Sequence, residues 1–241
     1  MKDDAFAGGR GRTGKGRRLR GIEILHEDRD MIVVVKEAGI LTCPTRRGES
    51  HTVETMLTDY VRKGQAKSSK KVYLVHRLDK ETSGVMMVAK TEEVQQYFRS
   101  RWNEVTQKEY LALVEGRMES EEGAFESYLA EDENLYVHSV ADPSQGKFAR
   151  TEWKLVEERP GGRSLLRVIL KSGRRNQIRV HFKEAGHPIV GDNKYNPASK
   201  GEKRMCLHAW RLMFLHPHDG RTMTFEAPLP QFAANSGALK A

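Results

Sequence analysis

The pattern of hydrophobic and polar positions predicts short strands interrupted by a few helices. An apolar β-branched run at 32–35, followed by Lys-Glu-Ala-Gly, is typical of a buried strand that ends in a turn. From position 53, apolar side chains recur at i, i+3, i+4, i+7 and i+8, which predicts a helix over 52–62 with Thr52 as its N-cap. The same spacing follows Thr91 and predicts a second helix. The first half of the chain therefore contains both kinds of element.

The second half adds strands and one further helix. Residues 119–147 are rich in Glu, Gly and Ser and predict a hairpin or loop excursion, whereas the polar, basic segment 64–71 predicts a mobile loop. Strands and helices do not alternate strictly, so a doubly wound parallel sheet is disfavoured and one α+β domain is expected. Strands are also predicted at 72–75, 85–89, 110–114 and 163–171.

The third helix carries an unusual basic face. Apolar positions at helical spacing, with Asn176 as a possible cap and Gly186 just beyond the end, predict a helix between these residues. Arg175, Arg179 and Lys183 are four residues apart and share another face. The ordinary interpretation of such a stripe is a solvated surface, and a functional one needs further evidence.

Charge divides the chain into a basic tail and a mildly basic folded part. The 241 residues include 41 Lys and Arg against 33 Asp and Glu, a formal charge of +8. Seven cationic and two acidic side chains fall in residues 1–21, which we expect to be a flexible Gly/Arg-rich tail. We assign 22–230 to one catalytic domain and 231–241 to a C-terminal tail. The charge favours a polyanionic partner such as nucleic acid, although a tail that only improves solubility has similar composition.

Several classes of protein are disfavoured by the sequence. No apolar stretch approaches the roughly 20 residues that span a bilayer, and the basic start leads into no signal core, so we expect a cytoplasmic protein without a membrane partner. Cys43 and Cys206 lack the paired spacing of a zinc or redox motif. The glycines at 9–14 match a dinucleotide fingerprint, but no apolar strand precedes them, so we attribute the match to composition.

Asp79 is the first candidate for chemistry. It lies between two predicted strands, with His76 and Arg77 close by in sequence, and loops between rigid strands are favoured places for reactive groups. An arginine partner would lower the pKa of its carboxyl group and keep it ready as nucleophile or base. From the turn alone, however, a local cap that accepts backbone N–H bonds is the commoner role of such an aspartate.

The segment around Asp79 resembles a known family. Residues 76–84, His-Arg-Leu-Asp-Lys-Glu-Thr-Ser-Gly, are similar to the signature loop of the RluA-type pseudouridine synthases, in which the aspartate is catalytic. Residues 108–116 resemble the segment with the active-site tyrosine, which places that role on Tyr110. Residues 173–192 resemble the third motif, which places the basic partner of the aspartate on Arg179.

The match extends over most of residues 28–230, with two departures. Residues 30–44 resemble the first family motif, but Glu37 stands where proline is usual. Asn176 stands where this type often has histidine, so contacts near the start of that helix are in doubt. The closing segment of the family resembles 207–230 of this chain.

The resemblance implies a fold and an activity. The expected fold is the α+β pseudouridine synthase catalytic fold, a mixed, largely antiparallel sheet with flanking helices. The expected enzyme is an isomerase that converts a uridine within ribosomal or transfer RNA to pseudouridine. No segment resembles a dedicated dimerisation helix, so we expect this enzyme to be a monomer. It would extrude the target nucleotide from the stack and need neither metal nor other cofactor. The implied catalytic residues are Asp79, Tyr110 and Arg179, and the implied RNA contacts are His76, Arg77, Lys108, Arg174 and Arg175.

Two other functions remain as alternatives. An RNA-binding or ribosome-associated protein could keep this fold without catalysis, although the joint presence of the three catalytic residue types argues against it. A glycoside hydrolase would need a second catalytic carboxylate, whereas the motifs offer one aspartate beside arginines. Whatever the activity, we expect the basic tail to add salt-dependent affinity for RNA.

Overall fold

The computed structural model describes residues 17–45, 48–65, 67–199 and 203–239, which form two compact units. The first unit contains the described residues up to Thr106 and the segment Ala209–Pro228, and the second contains Gln107–His208 and the end of the chain from Leu229. In the described part of the chain, no helix is long and apolar enough to cross a membrane.

The elements follow one another with strands predominating. The three α-helices of the described residues are α1 (Val53–Arg62), α2 (Glu92–Val105) and α3 (Gln177–Glu184). The strands are β1 (Arg17–Leu19), β2 (Ile22–Glu27), β3 (Met31–Lys36), β4 (Tyr73–Leu74), β5 (Ser83–Ala89), β6 (Thr106–Glu115), β7 (Glu122–Glu131), β8 (Val137–Val140), β9 (Lys147–Arg159), β10 (Arg163–Leu170), β11 (Leu207–Leu215) and β12 (Thr222–Glu226).

In the first unit, a sheet in the order β1-β2-β3-β5-β11 is buried at its centre. All seven residues of β5 are buried, and four consecutive residues of β3 have no exposed surface. Such continuous apolar runs are typical of strands covered on both faces. The shorter β4 pairs with β5, and β12 pairs antiparallel with β11.

Both helices of the first unit begin where the sequence predicts. The Thr52 hydroxyl accepts from the Thr55 N–H at 3.2 Å, and Thr55 Oγ1 accepts in return from the Thr52 N–H at 3.0 Å, which forms a capping box at α1. Thr91 caps α2 in a similar way through the Val94 N–H. The buried face of α2 then places Phe98 against the sheet core.

Gly84 allows β5 and β11 to approach closely. Its φ is +121°, in the region that favours glycine, and a Cβ atom there would lie 2.1 Å from the Ala209 carbonyl oxygen. A side chain at this position would meet backbone rather than a movable side chain. The glycine that ends the 76–84 motif is therefore required by packing.

The second unit is an antiparallel sheet in the order β6-β10-β9-β7-β8, with α3 packed against β7, β8 and β9. Val180 of α3 joins a small core with Leu129, Val137, Ala149 and Tyr195. The predicted excursion at 119–147 is the β7–β8 hairpin, which extends this sheet rather than forming a separate domain.

The α+β fold class is confirmed, while the predicted ends of the folded region need correction. Residues 17–19 were assigned to the flexible tail, but they form β1 and pair with β2; residues 1–16 lie outside the described part. At the other end, 231–239 were also assigned to a tail, but they include two 3₁₀ turns with Ala233 and Ser236 buried. Short segments with few apolar residues carry little sequence signal, so their order depends on tertiary contacts.

Candidate active site

In the first unit, the motif loop between β4 and β5 presents Asp79. The Asp79 carbonyl oxygen accepts the Thr82 N–H at 3.1 Å, which closes a tight turn. The Asp79 side chain is half-buried, whereas Lys80 and Glu81 beside it are exposed. The turn thus brings a carboxylate to the edge of a rigid, fully buried strand.

The buried Lys36 ties this loop to the end of β3. Its side chain has no exposed surface, and Nζ donates to the carbonyl oxygens of Glu37 at 3.0 Å, Ile40 at 2.8 Å and Lys80 at 3.0 Å. A buried ammonium group requires such partners, because burying it without hydrogen bonds costs several kcal/mol or more. Lys36 therefore fixes the backbone one residue beyond Asp79.

Thr42 holds the other side of the Asp79 turn. Its hydroxyl donates to the Leu78 carbonyl oxygen at 2.8 Å and accepts from the Leu78 N–H at 3.2 Å. The Gly39 N–H adds a bond to the Lys80 carbonyl oxygen at 2.9 Å. The residues immediately before and after Asp79 are thus both held by the segment that follows β3.

The backbone at Glu37 makes a hydrogen bond that the proline usual at this position of the first family motif could not make. The Glu37 N–H donates to the Gly21 carbonyl oxygen at 3.0 Å, a bond that proline has no N–H to make. Here β2 begins immediately after Gly21, so this bond joins the start of β2 to the end of β3. Glutamate in place of proline therefore adds this backbone hydrogen bond, and the three hydrogen bonds of Lys36 are present beside it.

His76 contacts other residues of the first unit through both a hydrogen bond and ring stacking. The Met87 N–H donates to its Nε2 at 3.0 Å, and its ring stacks on Trp102 with the centroids 4.7 Å apart. Since Nε2 accepts a hydrogen bond, the ring is neutral and carries its proton on Nδ1. These contacts join the motif loop to β5 and α2, and the expected contact of the half-buried His76 with RNA stays a prediction. Arg77, its neighbour, is exposed.

In the second unit, Tyr110 lies on β6 opposite Val168 of β10 and is 8% exposed. Lys108 is two residues earlier, on the same face of the strand, and is also buried. Burial lowers the pKa of Lys108 to about 8. Strand alternation places Lys108 on the same face of β6 as Tyr110, and its expected contact with RNA stays a prediction.

Arg179 of α3 forms a buried two-pronged ion pair with Asp192. Its Nε and Nη2 atoms donate to the two carboxylate oxygens, each at 2.7 Å, and Asp192 is 1% exposed. The guanidinium also lies 5.0 Å from the centre of the Tyr195 ring. The predicted stripe on α3 is thus not uniformly solvated, since its central arginine is fixed in the interior.

Asp192 is itself held in place by its own backbone loop. Its Oδ1 accepts from the backbone N–H groups of Lys194 at 3.0 Å and Tyr195 at 3.1 Å. The Tyr195 hydroxyl in turn accepts the Val137 N–H at 3.1 Å, and burial raises the pKa of Tyr195 to about 12. The orientation of Arg179 therefore depends on a chain of buried polar contacts that reaches the β7–β8 hairpin.

Asn176 does not cap α3 with its side chain, contrary to the sequence prediction. It has a left-handed backbone with φ at +52°, and its Oδ1 accepts from the Tyr195 hydroxyl at 3.3 Å. Asn and His are both enriched among non-glycine residues in this conformation. The position thus selects for a left-handed backbone, which explains why asparagine can replace the histidine usual there.

Two further side chains fix α3 to the sheet. The Gln177 amide accepts from Ser172 Oγ at 2.8 Å and donates to Thr151 Oγ1 at 2.9 Å. His181 contacts Thr151 Oγ1 and Ser127 Oγ, each at 2.9 Å, and burial lowers its pKa to about 4. A neutral His181 therefore belongs to the packing of the helix.

Arg174 and Arg175 are exposed at the start of α3, as surface contacts require. Arg174 Nε donates to the Phe148 carbonyl oxygen at 3.0 Å, and Arg175 pairs with Glu131. Their part in RNA binding stays a prediction. Among the described residues, no group of three or more His, Cys, Asp or Glu side chains is arranged to hold a metal ion.

Comparison with known proteins decides the family. Residues 30–184 match the family model described as RNA pseudouridylate synthase, a range that includes Asp79, Tyr110 and Arg179. The chain belongs to the RNA pseudouridylate synthase family. The resemblance inferred from the motifs is thereby confirmed.

Several relatives of this RNA pseudouridylate synthase family member are similar over most of its length. A ribosomal large subunit pseudouridine synthase D of Nitrosomonas europaea is 33% identical over 219 residues, which cover 87% of this chain and 62% of the relative. An uncharacterized RNA pseudouridine synthase of Bacillus subtilis, YhcT, is 33% identical over 87% of this chain and 69% of its own length. The chain thus spans about three fifths of the first relative.

Solved structures of RNA pseudouridylate synthases show the same fold. Human RNA Pseudouridylate Synthase Domain Containing 4 has a TM-score of 0.68 and 22% identity, covering 92% of this chain and 93% of that one. Human RNA Pseudouridylate Synthase Domain Containing 1 has a TM-score of 0.66 and 21% identity, covering 90% and 87%. The predicted catalytic fold is therefore confirmed.

Proposed function

We propose that this protein is an RNA pseudouridine synthase that isomerises a uridine within structured RNA. The observation that carries the proposal is the family match over 30–184, which includes all three expected catalytic residues. The anchoring of the Asp79 loop supports it, because a reactive carboxylate gains from a fixed backbone. The names of the relatives offer no support for the silent RNA-binding alternative.

The reaction requires only an exchange of bonds within one nucleotide. The N1–C1′ glycosidic bond breaks, the uracil turns over, and a C5–C1′ bond forms. C5 loses a proton and N1 gains one, so uridine and pseudouridine have the same atoms and the same oxidation state. The protein must therefore supply a group that detaches the base, a surface that retains the base, and a means of removing the proton from C5.

The three expected residues have chemistry suited to these tasks. Asp79 would detach the base, either by attacking the sugar or by removing a sugar proton. Tyr110 would stack on the uracil, and its hydroxyl could assist the proton that leaves C5. Arg179 would pair with Asp79 and orient it, since guanidinium and carboxylate groups form charge-assisted hydrogen bonds.

We further propose an RNA substrate from the large ribosomal subunit, which the names of two relatives, both ribosomal large subunit pseudouridine synthases D, favour over transfer RNA. Arg77, Arg174 and Arg175 are exposed and suited to hold phosphate groups. The target nucleotide would be extruded from the stack. We expect the enzyme to act in the cytoplasm as a monomer.

The decisive experiment is Asp79→Asn with tritium release from RNA labelled at C5 of uridine. We expect the variant to fold and bind RNA as the parent does, but to release no tritium above background. Glu81→Gln, an exposed carboxylate in the same turn, is the matched control and should keep parental turnover. Parental release by Asp79→Asn would refute the catalytic role, and no release by the parent protein on whole cellular RNA would refute the function.

A further inference from the structure

A basic cavity on the first unit has no part in the proposed chemistry. It has a volume of about 730 Å³ and lies between β1, the end of α1 and the end of β5. Four of its lining side chains are cationic and two are acidic. The charged and aromatic lining residues are Arg17, Glu27, Asp59, Tyr60, Lys63, Lys70 and Lys90.

The acidic part of the lining is largely neutralised from within. The two carboxylate oxygens of Glu27 accept from Tyr60 Oη at 2.7 Å and from Lys90 Nζ at 3.0 Å. Burial alone would raise the pKa of Glu27, but these hydrogen bonds outweigh it and the pKa is lowered. Glu27 and Lys90 therefore balance each other, which leaves Arg17, Lys63 and Lys70 against Asp59 as the charges offered to a partner.

The cavity belongs to a continuous basic stretch of the chain. Residues 60–78 contain six Lys and Arg and no Asp or Glu, and they lead from α1 directly to the Asp79 turn. Lys70 and Asp79 are nine positions apart in the sequence, so their Cα atoms are at most about 32 Å apart even if the chain were extended. One structured RNA molecule could contact both.

The same cavity lies where the basic N-terminal segment joins the folded unit. Arg17 is the first described residue, its guanidinium lies 5.0 Å from the centre of the Tyr60 ring, and residues 2–15 contribute four more cationic residues in sequence. Four further cationic residues thus precede the strand β1 in the sequence. Such summed positive charge attracts a polyanion more strongly than a single anion.

We propose that this cavity binds the phosphodiester backbone of the substrate RNA, outside the nucleotide that reacts. The inference takes RNA as the partner from the proposed function. Lysine ammonium groups would contact phosphate oxygens, and such contacts supply affinity without reading sequence. The cavity would thus hold the RNA in register while the Asp79 loop acts on one uridine.

The test is the salt dependence of RNA binding by a double variant, Lys63→Gln with Lys70→Gln. A fluorescently labelled RNA hairpin with single-stranded flanks is titrated at 0.1 to 1 M salt. Each phosphate contact contributes about 0.7–0.9 to the slope of log K against log salt, so losing two lowers the slope by about 1.5. The dissociation constant should rise about 30-fold over the parent at 0.1 M salt and converge with the parent at 1 M.

A matched double variant controls for net charge. Arg117→Gln with Lys154→Gln removes two charges from ion pairs with Glu158 and Glu122, outside the cavity. It should leave the slope near the parental value. An equal fall in both double variants, or an unchanged slope in the cavity variant, would overturn the proposal.

Two further measurements distinguish RNA-backbone binding from the binding of a free nucleotide and from the proposed function. Titration with UMP tests for a pocket that recognises a free nucleotide, and UMP binding that the cavity variant loses while its RNA slope stays parental would overturn the backbone proposal. Binding is measured apart from turnover. If the parent forms no pseudouridine yet the cavity variant shows the predicted loss of slope relative to the parent, the proposed function fails and the RNA-backbone site stands.

Discussion

The ion pair between Arg179 and Asp192 offers a sharp test of how the helix arginine is held. Asp192→Asn leaves the size of the side chain almost unchanged and removes one buried negative charge. The Asn oxygen could still accept the N–H groups of Lys194 and Tyr195, as the carboxylate does. The Asn amide group would then face Arg179 Nε as a second donor, so the guanidinium would lose a partner.

The expected cost is large because both members of the pair are buried. The side chains of Arg179 and Asp192 are 10% and 1% exposed. Breaking a buried pair by removing one partner costs about 3–5 kcal/mol, since the remaining charge is left without compensation. For a chain of this length, 1 kcal/mol corresponds to about 2–4 °C in Tm, so Tm should fall by about 6–20 °C.

An exposed pair in the first unit provides the control. Arg211 donates through Nε and Nη2 to Glu226 at 2.9 and 2.8 Å, but these side chains are 24% and 41% exposed. Glu226→Gln should therefore change the free energy of unfolding by less than about 1 kcal/mol. Urea unfolding and calorimetry measure both variants, and tritium release at a temperature where both are folded measures activity. Equal stability losses in the two variants, with parental activity in Asp192→Asn, would refute this account of Arg179.

Two further predictions concern pH and the basic tail. Because burial lowers the pKa of His181 from 6.5 to about 4, the unfolded chain binds a proton in this window that the folded protein does not. The stability advantage of the parent over His181→Gln should therefore shrink by up to about 3 kcal/mol as the pH falls from 7 to 4, whereas a constant difference in urea titrations would contradict it. Deletion of residues 1–16, which spares β1, should flatten the salt dependence of RNA affinity without lowering turnover at saturating RNA; a parental slope would exclude a role for the tail.

Local signals allowed the sequence to predict the helices and most strands. The α1 helix combines a threonine cap with apolar spacing, both of which act within a few residues, and the structure has it within one residue of the prediction. The Asp79 loop was singled out only through resemblance, because an aspartate in a turn is ordinarily a cap. The residues that hold this loop could not be predicted, since the buried Lys36 at the end of a strand is indistinguishable in sequence from an exposed lysine.

The partners of functional side chains were equally hidden. Arg179 and Asp192 are thirteen residues apart, in a helix and a loop, and no periodicity links them. Lys108 was expected to contact RNA, yet its side chain is buried on β6, and the half-buried His76 accepts a hydrogen bond from the Met87 N–H of β5. Sequence thus predicts what a residue can do, while its tertiary partners decide whether it meets solvent.

The anchoring of the Asp79 turn through Lys36 has a practical consequence for protein engineering. The oxygens that receive its ammonium group belong to main-chain carbonyls, which every amino acid supplies. Exposed positions 80 and 81 can therefore be randomised in a library without removing these attachments. A library selected for activity on altered RNA would thus vary the two side chains next to Asp79, while the hydrogen bonds from Lys36 to the backbone stay the same.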